Sequence, residues 1–239
     1  MRGRCSRPLV TFVLCAAIWA TAQTASKSSQ PAAAPATLTP DLQRIIGGLE
    51  EAQRENRVYM VPYTVTREYQ LFAGNERQPR STVLAEVRFR PPVTQTWSIK
   101  RTTGSSRDER VVQKILEWEA RFARDGKIAI SRQDYDFRYL GLSEYGHRPC
   151  YMLQVVPKRD DSNLLRGKIW VDRDTYLIHH FEGKPAKSPS WWIKDLQLFT
   201  EYSDRGGLWL PNVRRGVADI RLFGSYTMTE HTLSSQALR

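Results

Sequence analysis

The 239 residues carry 36 Lys and Arg against 25 Asp and Glu, a formal net charge of +11, with 41% hydrophobic, 26% charged and 10% aromatic residues. That balance is globular, and it excludes a largely disordered chain and a polytopic membrane protein. The length suffices for one large domain, or two small ones, with a real core.

Residues 1–22 read as a secretory signal peptide. Arg2, Arg4 and Arg7 form a positive n-region, and the apolar run over 9–20 is too short to span a bilayer comfortably. Ala20-Thr21-Ala22 then supplies the small-x-small pattern of a cleavage site. Cleavage is expected after Ala22, which removes three arginines and leaves about +8 on an exported, periplasmic chain without a transmembrane segment. Cys15 follows Phe12-Val13-Leu14, whose bulk argues against lipidation there. Cys150 alone remains after cleavage, so no intramolecular disulfide is expected, and a lone Cys reads as a small buried hydrophobe. Residues 23–39, rich in Ala, Ser and Pro, read as a disordered linker. The folded domain is expected over 40–239.

Thr39-Pro40-Asp41 has the chemistry of a helix start: an N-cap, a Pro at the first helical position and an acid in the first turn. Leu42, Ile45, Ile46, Leu49 and Ala52 follow at helical spacing. Gly47-Gly48 costs such a helix about 2 kcal/mol relative to Ala-Ala, so either the helix bends there or another backbone approaches closely. Strands are expected over 61–73, 81–90 and 93–102. Val83, Ala85, Val87 and Phe89 alternate with Glu86, Arg88 and Arg90, the period of a half-buried strand. A second helix over 108–125 carries Val111, Val112, Ile115, Leu116, Trp118 and Phe122 on one face, with Gly126 ending it. Within it Val111, Ile115, Trp118 and Phe122 form one stripe between two hinge glycines, Gly104 and Gly126, as a mobile lid would require; a helix permanently packed on the sheet is the competing reading. From 135 onward the pattern is all strand: 135–145, 150–159, 165–172, 176–182, 192–203, 208–217 and 219–233. Short polar turns between them favour antiparallel neighbours. The fold class is therefore mainly β (α+β): a strongly curved antiparallel sheet of about ten strands, with two helices packed on its concave side.

Candidate chemistry is sparse. His179 and His180 are adjacent on a strand and point to opposite faces, and no His-x-His, His-x-x-x-His or Cys-x-x-Cys spacing exists, so no zinc or similar metal site is expected. Asp172 and His179 could meet across a hairpin, but no Ser in a nucleophile-elbow context accompanies them, and no catalytic residue is assigned. The basic residues are scattered, which argues against nucleic acid as a partner. What remains is the excess of aromatics. Most of these are ordinary core, but a sheet that curves without closing leaves apolar interior that a helix or a ligand must cover. Phe89, Trp97, Val111, Ile115, Trp118, Phe122 and Trp170 are the residues expected to line such a cavity or its lid.

Gly167-Lys168-Ile169-Trp170-Val171-Asp172, followed by Tyr176-Leu177-Ile178 and Phe181-Glu182-Gly183, resembles a hairpin of the LolA/LolB-like superfamily of periplasmic lipoprotein-sorting proteins. Gly207-Leu208-Trp209-Leu210-Pro211 resembles the Gly-x-Trp-x-Pro strand opening of the same group. The resemblance covers about residues 40–235 in its order of elements. It implies an unclosed, strongly curved antiparallel β-barrel with the two helices as a lid on the concave side, and a carrier that holds lipid or lipoprotein acyl chains in the apolar cavity beneath, acting in outer-membrane lipoprotein sorting without a cofactor or catalytic residue. An envelope membrane protein is a further partner class. The alternative within the resemblance is an envelope-stress sensor like RseB that binds a partner protein; a hydrolase built on Asp172 and His179 is a third reading.

Overall fold

A computed structural model describes residues 40–56, 60–74, 76–92, 94–124, 129–188, 190–191, 193–222 and 224–238, the side chains of Pro40 and Phe122 aside. The expected signal peptide and linker, and Gly126, lie outside the described residues. The chain begins with helix α1 (Pro40–Glu55), strands β1 (Tyr63–Ala73), β2 (Ser81–Arg90) and β3 (Thr94–Thr103), then helix α2 (Ser106–Arg124). Seven strands follow: β4 (Tyr135–Tyr145), β5 (Arg148–Pro157), β6 (Leu165–Asp172), β7 (Ile178–Pro185), β8 (Ile193–Asp204), β9 (Trp209–Ile220) and β10 (Gly224–Ala237). They form one sheet in the order β3-β2-β1-β10-β9-β8-β7-β6-β5-β4, every neighbouring pair antiparallel. β3 and β4 end the sheet on separate edges, so the barrel is unclosed, as the sequence predicts. The element order is also the one that the LolA/LolB-like resemblance implies.

Both helices lie on one face of this sheet. The ladder runs Phe181, Thr200, Arg214, Glu230, Tyr69, Val83 across β7, β8, β9, β10, β1 and β2, and directly paired residues share a face. Phe181 belongs to a buried cluster in which Leu42, Ile45, Ile46 and Leu49 of α1 meet inward residues of β4 to β6 such as Leu153 and Ile169. Tyr69 and Val83 belong to a second cluster, with Val112 and Leu116 of α2 above β1 and β2. Each helix therefore covers one end of the inner face, α1 over β4 to β7 and α2 over β1 and β2.

Local chemistry explains the seating of each helix. α1 runs unbroken through Gly47-Gly48. A Cβ at Gly48 would stand 2.6 Å from the ring of Tyr176, so the glycine makes room for an aromatic side chain. At the start of α2, Asp108 accepts hydrogen bonds from Arg80 Nε (2.9 Å) and Ser81 Oγ (2.6 Å), which ties the first turn to β2.

Two expectations need correction. The buried stripe of α2 is Asp108, Val112, Leu116 and Ala123, one residue out of phase with the expected lid stripe. Val111 is 41% exposed, and Ile115 and Trp118 are half-buried, so they form an adjoining flank. The buried phase carries the charged Asp108 and Glu119 beside its apolar residues, whereas the other is apolar at 111, 115, 118 and 122, which is why composition alone selects the wrong one. The last hairpin also turns later than expected, at Arg221-Leu222 rather than near 218, because β9 continues to Ile220. Leu222, with φ 69°, adopts a left-handed conformation that offers no Gly or Asn signal in the sequence.

Candidate functional site

The inner face of β8, β9 and β10 lies between the two helix-covered ends. Among the described residues, Leu210 is the one fully buried apolar side chain on these three strands. One row across the ladder is Leu198, Gly216 and Met228, and the next is Leu196, Ala218 and Tyr226. All six are half-buried. Leu198 packs against the α1-side cluster and Met228 against the α2-side cluster, so the two cores approach from either side of Gly216. A Cβ built at Gly216 meets only Leu198 at 3.7 Å and Leu196 at 4.0 Å, which is ordinary contact. The glycine thus leaves a notch in an apolar strip, a surface that favours an apolar guest over water.

A buried ionic network borders this strip. Arg67 of β1, Arg214 of β9 and Glu230 of β10 come from the sheet, and Glu119 comes from α2. Arg67 Nη1 donates to Glu119 Oε2 at 2.7 Å, and Arg214 Nη1 donates to Glu119 Oε1 at 2.6 Å. Arg214 also grips Glu230 Oε1 through Nε (3.0 Å) and Nη2 (2.6 Å), while Arg67 Nε stands 3.4 Å from the same oxygen. Burial disfavours the Glu119 carboxylate, but Arg214 and Arg67 outweigh it and hold the carboxyl below its ordinary range. Burial likewise opposes the Arg67 charge, and Glu230 and Glu119 outweigh that effect. Sequence reasoning missed this network. The available signal was a charge at the inward phase of each element: Arg67 between Val65 and Tyr69, Glu230 between Met228 and Thr232, and Glu119 between Leu116 and Ala123.

The residues expected to line a cavity are dispersed. Phe89 is buried, stacked on Tyr63 with ring centroids 5.3 Å apart, and Trp97 is packed against the same α2-side cluster. Val111, Ile115 and Trp118 sit on the α2 flank, and the side chain of Phe122 lies outside the described residues. Trp170 stands on the opposite face of β6 from the buried Ile169. There it packs on His180 at 4.8 Å and donates from Nε1 to Ser143 Oγ at 3.3 Å, so it shares no lining with the others.

Asp172 and His179 do meet, with Nε2 3.2 Å from Oδ2. A register shift between Trp170 and Val171 leaves His179 as the extra residue of β7, and its ring meets Trp209 edge-on at 4.7 Å. Asp172 caps the following turn, accepting from the backbone N–H groups of Asp174 (2.9 Å) and Thr175 (2.8 Å). Trp209 Nε1 donates to Ile178 O at 2.9 Å, tying β9 to β7. These contacts give the two sequence motifs a structural role. Gly167 and Gly183 pair across the same hairpin, where a Cβ on either would collide with the facing backbone. Among the described residues no group of three or more His, Cys, Asp or Glu is placed to hold a metal, and no helix is long and apolar enough to cross a membrane.

The histidines make stability depend on pH. Burial lowers the affinity of both His179 and His180 for a proton, against the opposing pull of Asp172 on the first and of Glu182 and Glu201 on the second. Below the unfolded value of about 6.5 the unfolded chain binds more protons than the folded one. The contribution of the two neutral rings is therefore intact above that value and lost as the pH falls beneath it. The urea midpoint is expected to drop between about pH 7 and pH 5. His179→Asn combined with His180→Phe should flatten that slope, and a flat wild-type profile over the same window would contradict the assignment.

A groove of about 530 Å³ lies beside the second half of α1, lined by Ala52, Glu55, Tyr176, Leu177, Asp204 and Trp209 among others. A second, of about 510 Å³, is lined by Glu68, Gln70, Arg205, Asn212 and His231 with their neighbours. No protein-family model and no curated protein matches the chain. Solved structures similar to it include a domain assigned to outer membrane lipoprotein sorting from Vibrio parahaemolyticus, at 12% identity and TM-score 0.44, covering 82% of this chain and 92% of that one. A DUF1329 family protein from Desulfovibrio piger is similar at 16% identity and TM-score 0.40, covering 81% and 92%. A LolA superfamily protein from Nitrosomonas europaea is similar at 12% identity and TM-score 0.39, covering 81% and 93%.

Proposed function

We propose that the chain is an exported, periplasmic lipid-binding or carrier protein that holds acyl chains against the inner face of β8, β9 and β10. The observation that carries this reading is the only partly covered apolar strip of Leu196, Leu198, Gly216, Ala218 and Met228, half-buried between two well-packed cores. Each methylene taken out of water there contributes about 0.8 kcal/mol, so a stretch of six supplies about 5 kcal/mol before ordering costs. Binding of this kind needs no catalytic group. The signal-peptide pattern of residues 1–22 and the sequence resemblance to lipoprotein-sorting proteins support the same reading.

Delipidated protein, incubated with palmitate, hexadecanol or a triacylated lipopeptide and examined by native mass spectrometry, is expected to retain one acyl ligand. Gly216→Leu fills the notch with a side chain whose first carbon makes only ordinary contacts. It should weaken binding by about tenfold, the worth of roughly two methylenes, while the protein stays folded. Absence of any bound acyl species across the panel would overturn the reading.

A further inference from the structure

The ionic network beside the strip assigns a ligand class. We propose that Arg67 and Arg214 form the head-group site for an amphiphile with a single carboxylate, and that Glu119 of α2 occupies this site in the ligand-free protein. The inference rests on the acyl-binding reading above and narrows it to fatty-acid-like anions.

Three observations converge. The first is charge. The sheet contributes Arg67, Arg214 and Glu230, which leaves one cation without a counter-charge, and the balancing carboxylate is supplied by a different element, α2. A buried charge left uncompensated is strongly unfavourable, so the sheet by itself presents a site for one negative charge. The second is geometry. The two oxygens of Glu119 are held by two different guanidinium groups, at 2.7 and 2.6 Å, a charge-assisted arrangement open to any carboxylate. Glu230 fixes the Arg214 fork from the other side with bonds at 3.0 and 2.6 Å, so the donors remain aimed when Glu119 leaves. The third is position. Arg214 and Glu230 lie two residues from Gly216 and Met228 on the same strands and the same face, about 7 Å along the sheet. An acyl chain laid on the strip therefore brings its carboxylate to the place now held by Glu119.

The exchange conserves charge: one carboxylate replaces another between the two arginines, and Glu119 passes to water as α2 shifts. No bond is made or broken apart from hydrogen bonds and ion pairs. Asp108, bonded to Arg80 and Ser81, keeps the first turn of α2 attached to β2, which places the displacement in the half of the helix that carries Glu119. A neutral amphiphile of equal length reaches the same strip but has nothing to exchange with Glu119.

The test is the ratio of palmitate to hexadecanol affinity, measured on the delipidated full chain at pH 7.5. The wild type should favour palmitate by about tenfold or more, Glu119→Gln should raise that ratio further, and Arg214→Gln should bring it close to one. Palmitate labelled with carbon-13 at its carboxyl should also keep the ionised chemical shift to a lower pH when bound than when free. A wild-type ratio of one or below overturns the inference by itself, whether or not the variants fold, and leaves the acyl-binding reading standing. Failure of both ligands to bind the wild type overturns the inference, and failure of the lipopeptide as well overturns the acyl-binding reading with it.

Discussion

Arg214→Met is expected to lower the stability of the folded chain by about 3–5 kcal/mol, the cost typical of removing one partner from a buried ion network. Arg214 is bonded to both carboxylates, and its loss leaves Glu119 and Glu230 facing Arg67 alone. The sign of the pH dependence is a further mark of this cause. In the variant a buried carboxyl is forced above its ordinary pKa, so the folded state binds more protons than the unfolded one, and its deficit relative to the wild type shrinks as the pH falls. In the wild type, Glu119 is held below the ordinary value, so its contribution persists above about pH 4.5 and is lost only as the pH falls through the folded value. Adding Glu119→Leu to Arg214→Met restores a neutral balance between Arg67 and Glu230 and should recover much of the loss. Urea unfolding at pH 7 and pH 5 reads all three effects; a single-variant loss below about 1 kcal/mol would mean that the network is solvated like a surface pair.

The second large effect separates two neighbouring residues of α2. Leu116 is fully buried in the core above β1 and β2, and Leu116→Ala is expected to cost about 2–5 kcal/mol through lost transfer energy and the cavity left behind. Ile115, one position earlier, is half-buried on the adjoining flank. Ile115→Ala should cost about 1–2 kcal/mol, because less apolar surface leaves water there on folding. Denaturant midpoints of the two variants decide the phase of the helix. Equal losses would place both residues in one core and contradict the inward stripe of Val112, Leu116 and Ala123.

That helix shows where sequence reasoning stops. Apolar residues occupy 111, 115, 118 and 122 and also 112, 116 and 123, so periodicity reveals an amphipathic helix without choosing between phases 100° apart. Counting hydrophobic side chains favours the first set, since the second contains Glu119. The fold takes the second set because Arg67 and Arg214 stand on the sheet opposite that carboxylate, and those partners lie 52 and 95 residues from Glu119 in the chain. The same limit applies to Gly47-Gly48. Its helix-breaking chemistry was legible, whereas the Tyr176 ring that requires Gly48 comes from a turn between β6 and β7.

The sequence alone determined the number and type of elements, the antiparallel meander and the inward side chains of strands such as Val83, Ala85, Val87 and Phe89, because hydrophobic period and turn residues act over a few positions. It also marked α1 correctly through Leu42, Ile45, Ile46 and Leu49. Only the tertiary structure decided that β1 pairs with β10, that Trp170 stands on the opposite face from the buried Ile169, and that four charged side chains close one network beside an apolar strip. Those outcomes follow from long-range pairing and from buried charges finding partners, and neither leaves a period in the local sequence.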